Sequence, residues 1–178
     1  MRPMQCIGLE FSSLPNRGVM YVIAQLAGAV VGAYLIVAVI PDAAEGNLGA
    51  HGLGIGVSAS GGLLAEIILT FILVFVVFAV AIDPRGPQYL APIAIGLAVF
   101  IDHLFGVTIT GASMNPARSF GPALVAWDWG SHWIYWVGPG VGAGLAAVGY
   151  RRVFLSSIES VFEEAEFEEP DVELENSE

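Results

Sequence analysis

Lysine is absent from the 178 residues, cysteine occurs once, and charged residues make up only 13% of the chain. Soluble domains carry about 25% charged residues, so this shortage of charge is not typical of a soluble protein. The six basic residues are all arginine and form no basic patch, so no nucleic-acid partner is expected. The lone Cys6 excludes an intrachain disulfide. We expect neither a metal nor a cofactor.

The net charge of -11 is concentrated at the end of the chain, where residues 159–178 contain ten acids. Such a segment buries too little apolar surface to fold, so residues 155–178 are expected to form a disordered, acidic cytoplasmic tail. Residues 1–18 lack the long apolar stretch of a signal peptide and are interpreted as a short cytoplasmic N-terminal segment.

Hydrophobic residues make up 56% of the chain and occur in long runs. Residues 19–40 contain no charge and would extend about 33 Å as a helix, enough to cross a hydrocarbon core of roughly 30 Å. Three further runs have similar lengths and few charges: 62–82, 89–108 and 132–150. The sequence therefore predicts an all-α membrane protein with four transmembrane helices.

The segment 115–127, between the third and fourth runs, is too short to cross a membrane. As a helix it would measure roughly 20 Å. Asn115 is a good helix cap, and Pro116 suits the first helical position, where its missing N–H costs nothing. We therefore predict a half-helix that begins at Asn115 and either enters the membrane and returns or lies at the interface.

The arginines set the predicted orientation. With four crossings, five of them fall on one side of the membrane: Arg2, Arg17, Arg85, Arg151 and Arg152. Basic residues favour the cytoplasmic side, so both termini and the 83–88 loop are predicted to be cytoplasmic. Arg118 is the one arginine outside this pattern.

Arg118 stands three residues inside the predicted half-helix. A helix N-terminus carries about half a positive charge, so Arg118 places a second positive feature there. The helix N-terminus and the guanidinium both repel cations, and both can donate hydrogen bonds to a neutral polar solute. Pores that conduct water and exclude protons and ions use barriers of this kind. The carbonyls of Gly111, Ala112 and Ser113 are expected to face a cavity, because irregular backbone at membrane depth must be buried or line one.

Other readings of these residues remain open from the pattern alone. Asn-Pro is also an ordinary turn signal, and Arg118 can pair with Asp102 or Glu66. His103 on an apolar helix is often a core histidine, and Glu66 can be a buried acceptor or a proton-relay acid. Ser113 and His103 would suit a serine hydrolase, but the strained Gly-x-Ser-x-Gly turn is missing, so no enzyme is predicted.

Four stretches together resemble the aquaporin and glycerol-facilitator family of major intrinsic proteins. "GASMNPARSFGPAL" (111–124) resembles the second Asn-Pro-Ala signature, and "AEIILTFILVF" (65–75) the fourth membrane helix with its buried glutamate, Glu66. "YVIAQLAGAVVGAYL" (21–35) is similar to the third helix and "HWIYWVGPGVGAGLAA" (132–147) to the sixth. The resemblance covers roughly residues 19–154.

The resemblance implies roles for individual residues. The half-helix motif near the pore centre would be Asn115, Pro116 and Ala117. Arg118 would be the arginine of the outer selectivity filter, with His103 as the filter histidine of water-selective members and Ala112 lining the filter through its carbonyl. Glycerol-passing members have a small residue at the position of His103.

The resemblance also implies an incomplete inverted repeat, because the family has six crossings and two half-helices. The first two helices and the first half-helix are not found here. The expected function is a water channel, or a channel for other small neutral solutes, in the plasma membrane, and the family implies a homotetramer in the lipid bilayer. The alternative is a truncated, non-conducting member or one that needs a complementing chain.

Overall fold

The computed structural model describes residues 4–41 and 46–155, with side chains from Arg17 onward. This part of the chain is helical and contains no strand, in agreement with the predicted all-α class. The helices are α1 (Met4–Val39), α2 (Ala59–Val77), α3 (Ala91–Thr110), α4 (Pro116–Ala126) and α5 (Ile134–Tyr150). The predicted acidic tail lies almost wholly outside the described residues.

Within residues 4–41 and 46–155, three helical stretches are long and apolar enough to cross a membrane: Arg17–Val39, Ala59–Ile82 and Gln88–Thr110. The second includes a π-helical turn, Phe78–Ile82, and the third a short 3-10 turn, Gln88–Leu90. These stretches correspond to the first three predicted crossings. The first belongs to a helix that already begins at Met4, well before the predicted start at residue 19.

The predicted fourth crossing corresponds to α5, whose 17 residues measure about 26 Å. Near its start, the Tyr135 hydroxyl donates a 2.9 Å hydrogen bond to the carbonyl of Thr110, at the end of α3. Just beyond its end, the carbonyl of Phe154 accepts a 2.9 Å hydrogen bond from Arg85, in the α2–α3 turn. Helix α5 therefore extends along the same length of the bundle as α2 and α3, which favours a fourth crossing.

Helix α2 packs tightly against α5 because the contact surface of α5 is made of small residues. A side-chain carbon built on Gly142 would lie 2.4 Å from the carbonyl oxygen of Ile67, so only glycine allows this approach. A carbon on Gly138 would lie 2.6 Å from the Cβ atom of Glu66. The contact brings Glu66 into the bundle interior, close to the loop that precedes α4.

Helix α1 packs on α4, and α3 packs on the remaining side of α2. The half-helix therefore packs mainly on α1, and it also contacts α5. The loop that follows α4 and the first turn of α5 carry exposed tryptophans, as expected for an aromatic belt at a membrane interface: Trp127, Trp129, Trp133 and Trp136.

Candidate functional site

The half-helix begins at a cap built by Asn115. The backbone of Asn115 is extended, and its Oδ1 atom accepts hydrogen bonds from the N–H groups of Ala117 at 2.9 Å and Arg118 at 3.4 Å. Pro116 is the first helical residue. Helix α4 has 11 residues, about 17 Å, so it is too short to cross the hydrocarbon core.

The loop before α4 is fastened to the bundle by the carboxylate of Glu66. Its Oε1 atom accepts hydrogen bonds from the Thr110 hydroxyl at 2.7 Å and the Ser113 N–H at 2.9 Å, and its Oε2 atom accepts one from the Met114 N–H at 2.8 Å. Glu66 is fully buried. The carboxylate thus satisfies backbone donors that would otherwise be unpaired in the membrane.

The chain turns from α3 into this loop at Gly111, which has a left-handed backbone with φ of 84°. Glycine adopts this conformation without strain. A side-chain carbon at Gly111 would also lie 2.6 Å from the Cδ2 atom of His51, so the imidazole packs directly on the backbone. Only glycine meets both requirements.

The Arg118 guanidinium is held by three acceptors from three parts of the chain. Its Nη1 atom donates to the carbonyl of Ala112 at 2.8 Å and makes a short hydrogen bond to the Nε2 atom of His51. Its Nη2 atom lies 3.3 Å from the Nε2 atom of His103. The structure therefore brings His103, Ala112 and Arg118 together, as the resemblance implied, and adds His51.

His51 is the site residue that the sequence analysis missed. It lies in the glycine-rich loop before α2, is 94% buried, and packs at 5.4 Å against the ring of Tyr135. Its partners stand 67 and 68 residues later in the chain, so no local pattern reveals the contact. A possible signal was a single histidine set among glycines between two membrane segments.

The other readings of the polar residues find no matching contacts. The hydroxyl of Ser113 bonds to Ser119 and Asn115, and His103 bonds to Arg118 and the carbonyl of Val99. Ser113 and His103 are therefore not paired as a nucleophile and base. Asp102 is buried on the face of α3 that packs on α2, and it makes no ion pair with Arg118.

Among residues 17–41 and 46–155, no carboxylate makes an ion pair with Arg118. Arg85 and Asp83 form an ion pair at 2.8 Å, but it lies far from the half-helix. The side chain of Arg118 is exposed on the open side of the bundle, beside the N-terminus of α4. The guanidinium and the positive end of the α4 dipole are therefore close together.

Burial, and then the charge of Arg118, lower the pKa of His51 from its ordinary value of 6.5 to about 4. The imidazole is consequently neutral at neutral pH and able to accept a hydrogen bond from the guanidinium.

A cavity of about 140 Å³ lies beside the start of α4, between α1 and the half-helix. Its wall combines residues of α1 with the cap, the motif and one tryptophan of α5: Val22, Gln25, Leu26, Asn115, Pro116, Ala117 and Trp136. The volume is sufficient for several water molecules, each of which takes about 30 Å³ in the liquid. Within the described ranges, no group of histidine, cysteine and acidic side chains is placed to hold a metal ion.

Comparison with known proteins identifies relatives of this chain. It is 46% identical over 143 residues to a probable TIP-type aquaporin of Medicago truncatula, covering 79% of this chain and 56% of the relative. It is 47% identical over 145 residues to aquaporin-4 of Mus musculus, covering 80% of this chain and 45% of the relative. The chain thus spans about half the length of the curated relatives it matches.

The family model described as major intrinsic protein matches residues 5–150. The match begins earlier than the resemblance at residue 19, so it takes in most of the predicted N-terminal segment. It also contains all the residues around Arg118 described above. The chain belongs to the major intrinsic protein family.

Proposed function

We propose that this chain forms a channel of the aquaporin type, which lets water pass and excludes protons and ions. The observation that carries the proposal is the setting of Arg118, held by a carbonyl and two imidazole nitrogens rather than by a carboxylate. No direct ion pair therefore compensates its positive charge, which repels cations, while its remaining N–H groups donate to a passing water molecule.

The same arrangement supports selection by size. The Nε2 atom of His103 and the Nη2 atom of Arg118 lie 3.3 Å apart, so the two side chains would narrow the water path at the same point. The Nδ1 atom of His103 is bound to the carbonyl of Val99 at 2.7 Å, which holds the ring in position. A constriction lined by these donors and acceptors suits one small dipole at a time. We propose that water passes more readily than glycerol.

The second candidate is a chain that conducts only with a complementing partner, or not at all. The exposure of Asn115 and Arg118 favours it, because a pore needs a wall opposite these side chains. The chain also spans about half the length of its relatives. The partner would supply the two helices and the half-helix that the sequence analysis did not find.

The remaining proposals follow from the family and the charge pattern. We propose a homotetramer in the plasma membrane, with both termini and the 83–88 loop on the cytoplasmic side. Its substrates would be water or small neutral solutes, and the chain would not act as an enzyme or bind nucleic acid.

The test is osmotic swelling and shrinking of proteoliposomes that contain the purified full chain. Water, glycerol and proton permeabilities are measured for the chain alone and for the chain reconstituted with a polypeptide carrying the family's first repeat. We expect water permeability well above that of empty vesicles, with little glycerol or proton flux. His103→Gly should raise glycerol permeability, and Tyr89→Phe, a change at an exposed site in the α2–α3 turn, should not.

The outcomes separate the candidates. Water flux from the chain alone supports a self-sufficient channel, and flux only with the added repeat supports the complementing partner. Equal glycerol and water permeability in the unmutated protein would contradict the role of His103. An absence of flux in both preparations would leave the non-conducting member as the remaining candidate.

A further inference from the structure

A chain of buried hydrogen bonds runs away from the pore side of Arg118 into the protein. Arg118 bonds to the Nε2 atom of His51, and the Nδ1 atom of His51 lies 2.8 Å from the Oγ atom of Ser119. The Oγ atom of Ser119 lies 2.5 Å from that of Ser113, which donates to the carbonyl of Asn115 at 3.0 Å. Both serines are at least 99% buried.

The hydrogen-bond partners determine which atom donates and which accepts at every step of this series of hydrogen bonds. A guanidinium only donates, so the Nε2 atom of His51 accepts and carries no proton. The proton of the neutral ring is then on Nδ1, which donates to Ser119. Ser119 donates to Ser113, and Ser113 donates to Asn115. Each hydroxyl of the chain has one acceptor for its proton, so the arrangement is fully satisfied.

The ring of His51 has little freedom to escape this arrangement. Tyr135 lies against it at 5.4 Å, and the backbone of Gly111 leaves no space beside its Cδ2 atom. Among the described residues, the Oγ atom of Ser119 is the only hydrogen-bond acceptor for the Nδ1 atom. The tautomer with the proton on Nδ1 is therefore favoured from both sides of the ring, by Arg118 at Nε2 and by Ser119 at Nδ1.

We propose that Ser119 is a positioning residue that fixes the tautomer of His51 and thereby the orientation of the Arg118 guanidinium. The assignment of the tautomer stands on geometry alone, whereas its effect on permeation rests on the proposed channel function. Ser119 does not face the open side of the bundle and acts only through His51.

Loss of the Ser119 hydroxyl has two consequences. The Nδ1–H group of His51 would be buried without an acceptor, which is costly for a polar group. If the proton moved from Nδ1 to Nε2, no donor would be left unpaired at Nδ1. The Nε2–H group of His51 would then face the N–H group of Arg118. Two donors cannot share a hydrogen bond, so the guanidinium would lose one of its three acceptors and its fixed orientation.

The experiment is nitrogen NMR of the full chain labelled with ¹⁵N-histidine, because the two ring nitrogens report directly which of them is protonated. The signals of His51 are identified by their loss in His51→Gln. Measurement at neutral pH keeps the ring uncharged. We expect a single tautomer with the proton on Nδ1 in the unmutated protein.

The variants are chosen to separate positioning from general damage. Ser119→Ala should replace the single His51 tautomer by the other one or by a mixture, whereas Ser119→Thr keeps the hydroxyl and should retain it. Ser113→Ala removes a buried hydroxyl of the same chain, but Ser119 can still accept from His51, so the tautomer should remain. Ser60→Ala, at an exposed site, is the matched control.

An unchanged His51 tautomer in folded Ser119→Ala would overturn the proposal. If that variant does not fold, the unmutated protein still decides, since a proton found on Nε2 contradicts the assignment. In vesicles, Ser119→Ala should raise glycerol or proton flux at least about twofold over Ser60→Ala. If no preparation conducts water, the proposed function fails while the NMR result still stands.

Discussion

The hydroxyl of Tyr150 donates a 2.8 Å hydrogen bond to the buried carboxylate of Asp83, 67 residues earlier in the chain. Arg85 adds three hydrogen bonds to the same carboxylate, at 2.8–3.0 Å. The end of α5 is thereby fastened to the turn between α2 and α3. The bonds from Arg85, and then that from Tyr150, hold the pKa of Asp83 below its ordinary value.

Tyr150→Phe should lower the stability of the folded chain, because it removes the hydrogen bond from α5 to Asp83 and otherwise keeps the shape of the side chain. The measurement is thermal unfolding in detergent micelles near neutral pH. Tyr89→Phe, on an exposed tyrosine, is the control. Since the pKa of Asp83 is lowered in the folded state, its contribution is present above the ordinary carboxyl pKa and lost as the pH falls. A Tyr150→Phe variant as stable as the control would contradict this.

Glu66→Gln should destabilise the membrane domain by about 1–3 kcal/mol, because its amide NH₂ group would face a donor and leave it unpaired in the interior. The free energy of unfolding is measured with denaturant in mixed micelles. Asp128→Asn makes the same chemical change at an exposed loop position and should have little effect. Equal losses in the two variants would show that the carboxylate does not fasten the loop.

The protein should lose stability in mild acid through His51. Its pKa of about 4 lies below the ordinary 6.5, so the folded state prefers the neutral ring. This preference contributes fully above pH 6.5, declines as the pH falls from 6.5 to about 4, and changes no further below that. Each pKa unit corresponds to about 1.4 kcal/mol, so a difference of about 1–3 kcal/mol is expected.

The measurement is the pH dependence of unfolding in the unmutated protein and in His51→Gln, compared between pH 7 and pH 4. The comparison cancels contributions from other titrating groups, including Asp83. Parallel curves for the two proteins would show that His51 is not the group responsible.

Arg118→Val should weaken the exclusion of cations while water still passes, because the change removes the charge and leaves an apolar side chain of moderate size. Proton and sodium fluxes into vesicles are measured beside water permeability. Arg17→Gln, a charge change at an exposed position of α1, is the control and should leave cation exclusion intact. Unchanged exclusion in Arg118→Val would remove this residue from the proposed filter.

Deletion of residues 156–178 should leave the membrane domain folded and any permeability unchanged. The prediction depends on the charge density of the segment, which lies outside the described residues. Circular dichroism and vesicle swelling of the shortened and full chains provide the comparison. Loss of helical signal or of flux would show that the tail packs on the membrane domain.

Features encoded by local sequence were predictable. Asn115 caps the start of α4 and Pro116 favours the first helical position, so these two residues predict where α4 begins. The apolar runs predict where the long helices lie. Glu66 stood out as an acid within such a run. In each case the physical cause acts within a few residues, so a pattern in the sequence reports it.

Contacts between distant segments were not predictable in the same way. His51 meets Arg118 only because the loop before α2 folds across the end of α3, and nothing near residue 51 encodes the approach. Asp102 was a possible partner of Arg118, but consecutive helical residues point about 100° apart, so it lies on another face than His103. The length of α1 was also underestimated, since its first turns lie outside the apolar run.

The hydrogen bonds of Glu66 also have a consequence for how the chain enters the membrane during synthesis. Its three donors belong to residues 44, 47 and 48 positions later, which have not yet left the ribosome when α2 does. A charged side chain at the centre of a membrane helix costs roughly 3 kcal/mol during insertion, so α2 enters with a cost that is relieved only afterwards. Helix α2 therefore reaches its final, stable position in the membrane only after residues 110–114 have bonded to Glu66. Ribosome-bound chains that are too short for residues 110–114 to have left the exit tunnel should hold α2 less firmly in the membrane than longer chains in which these residues have left it.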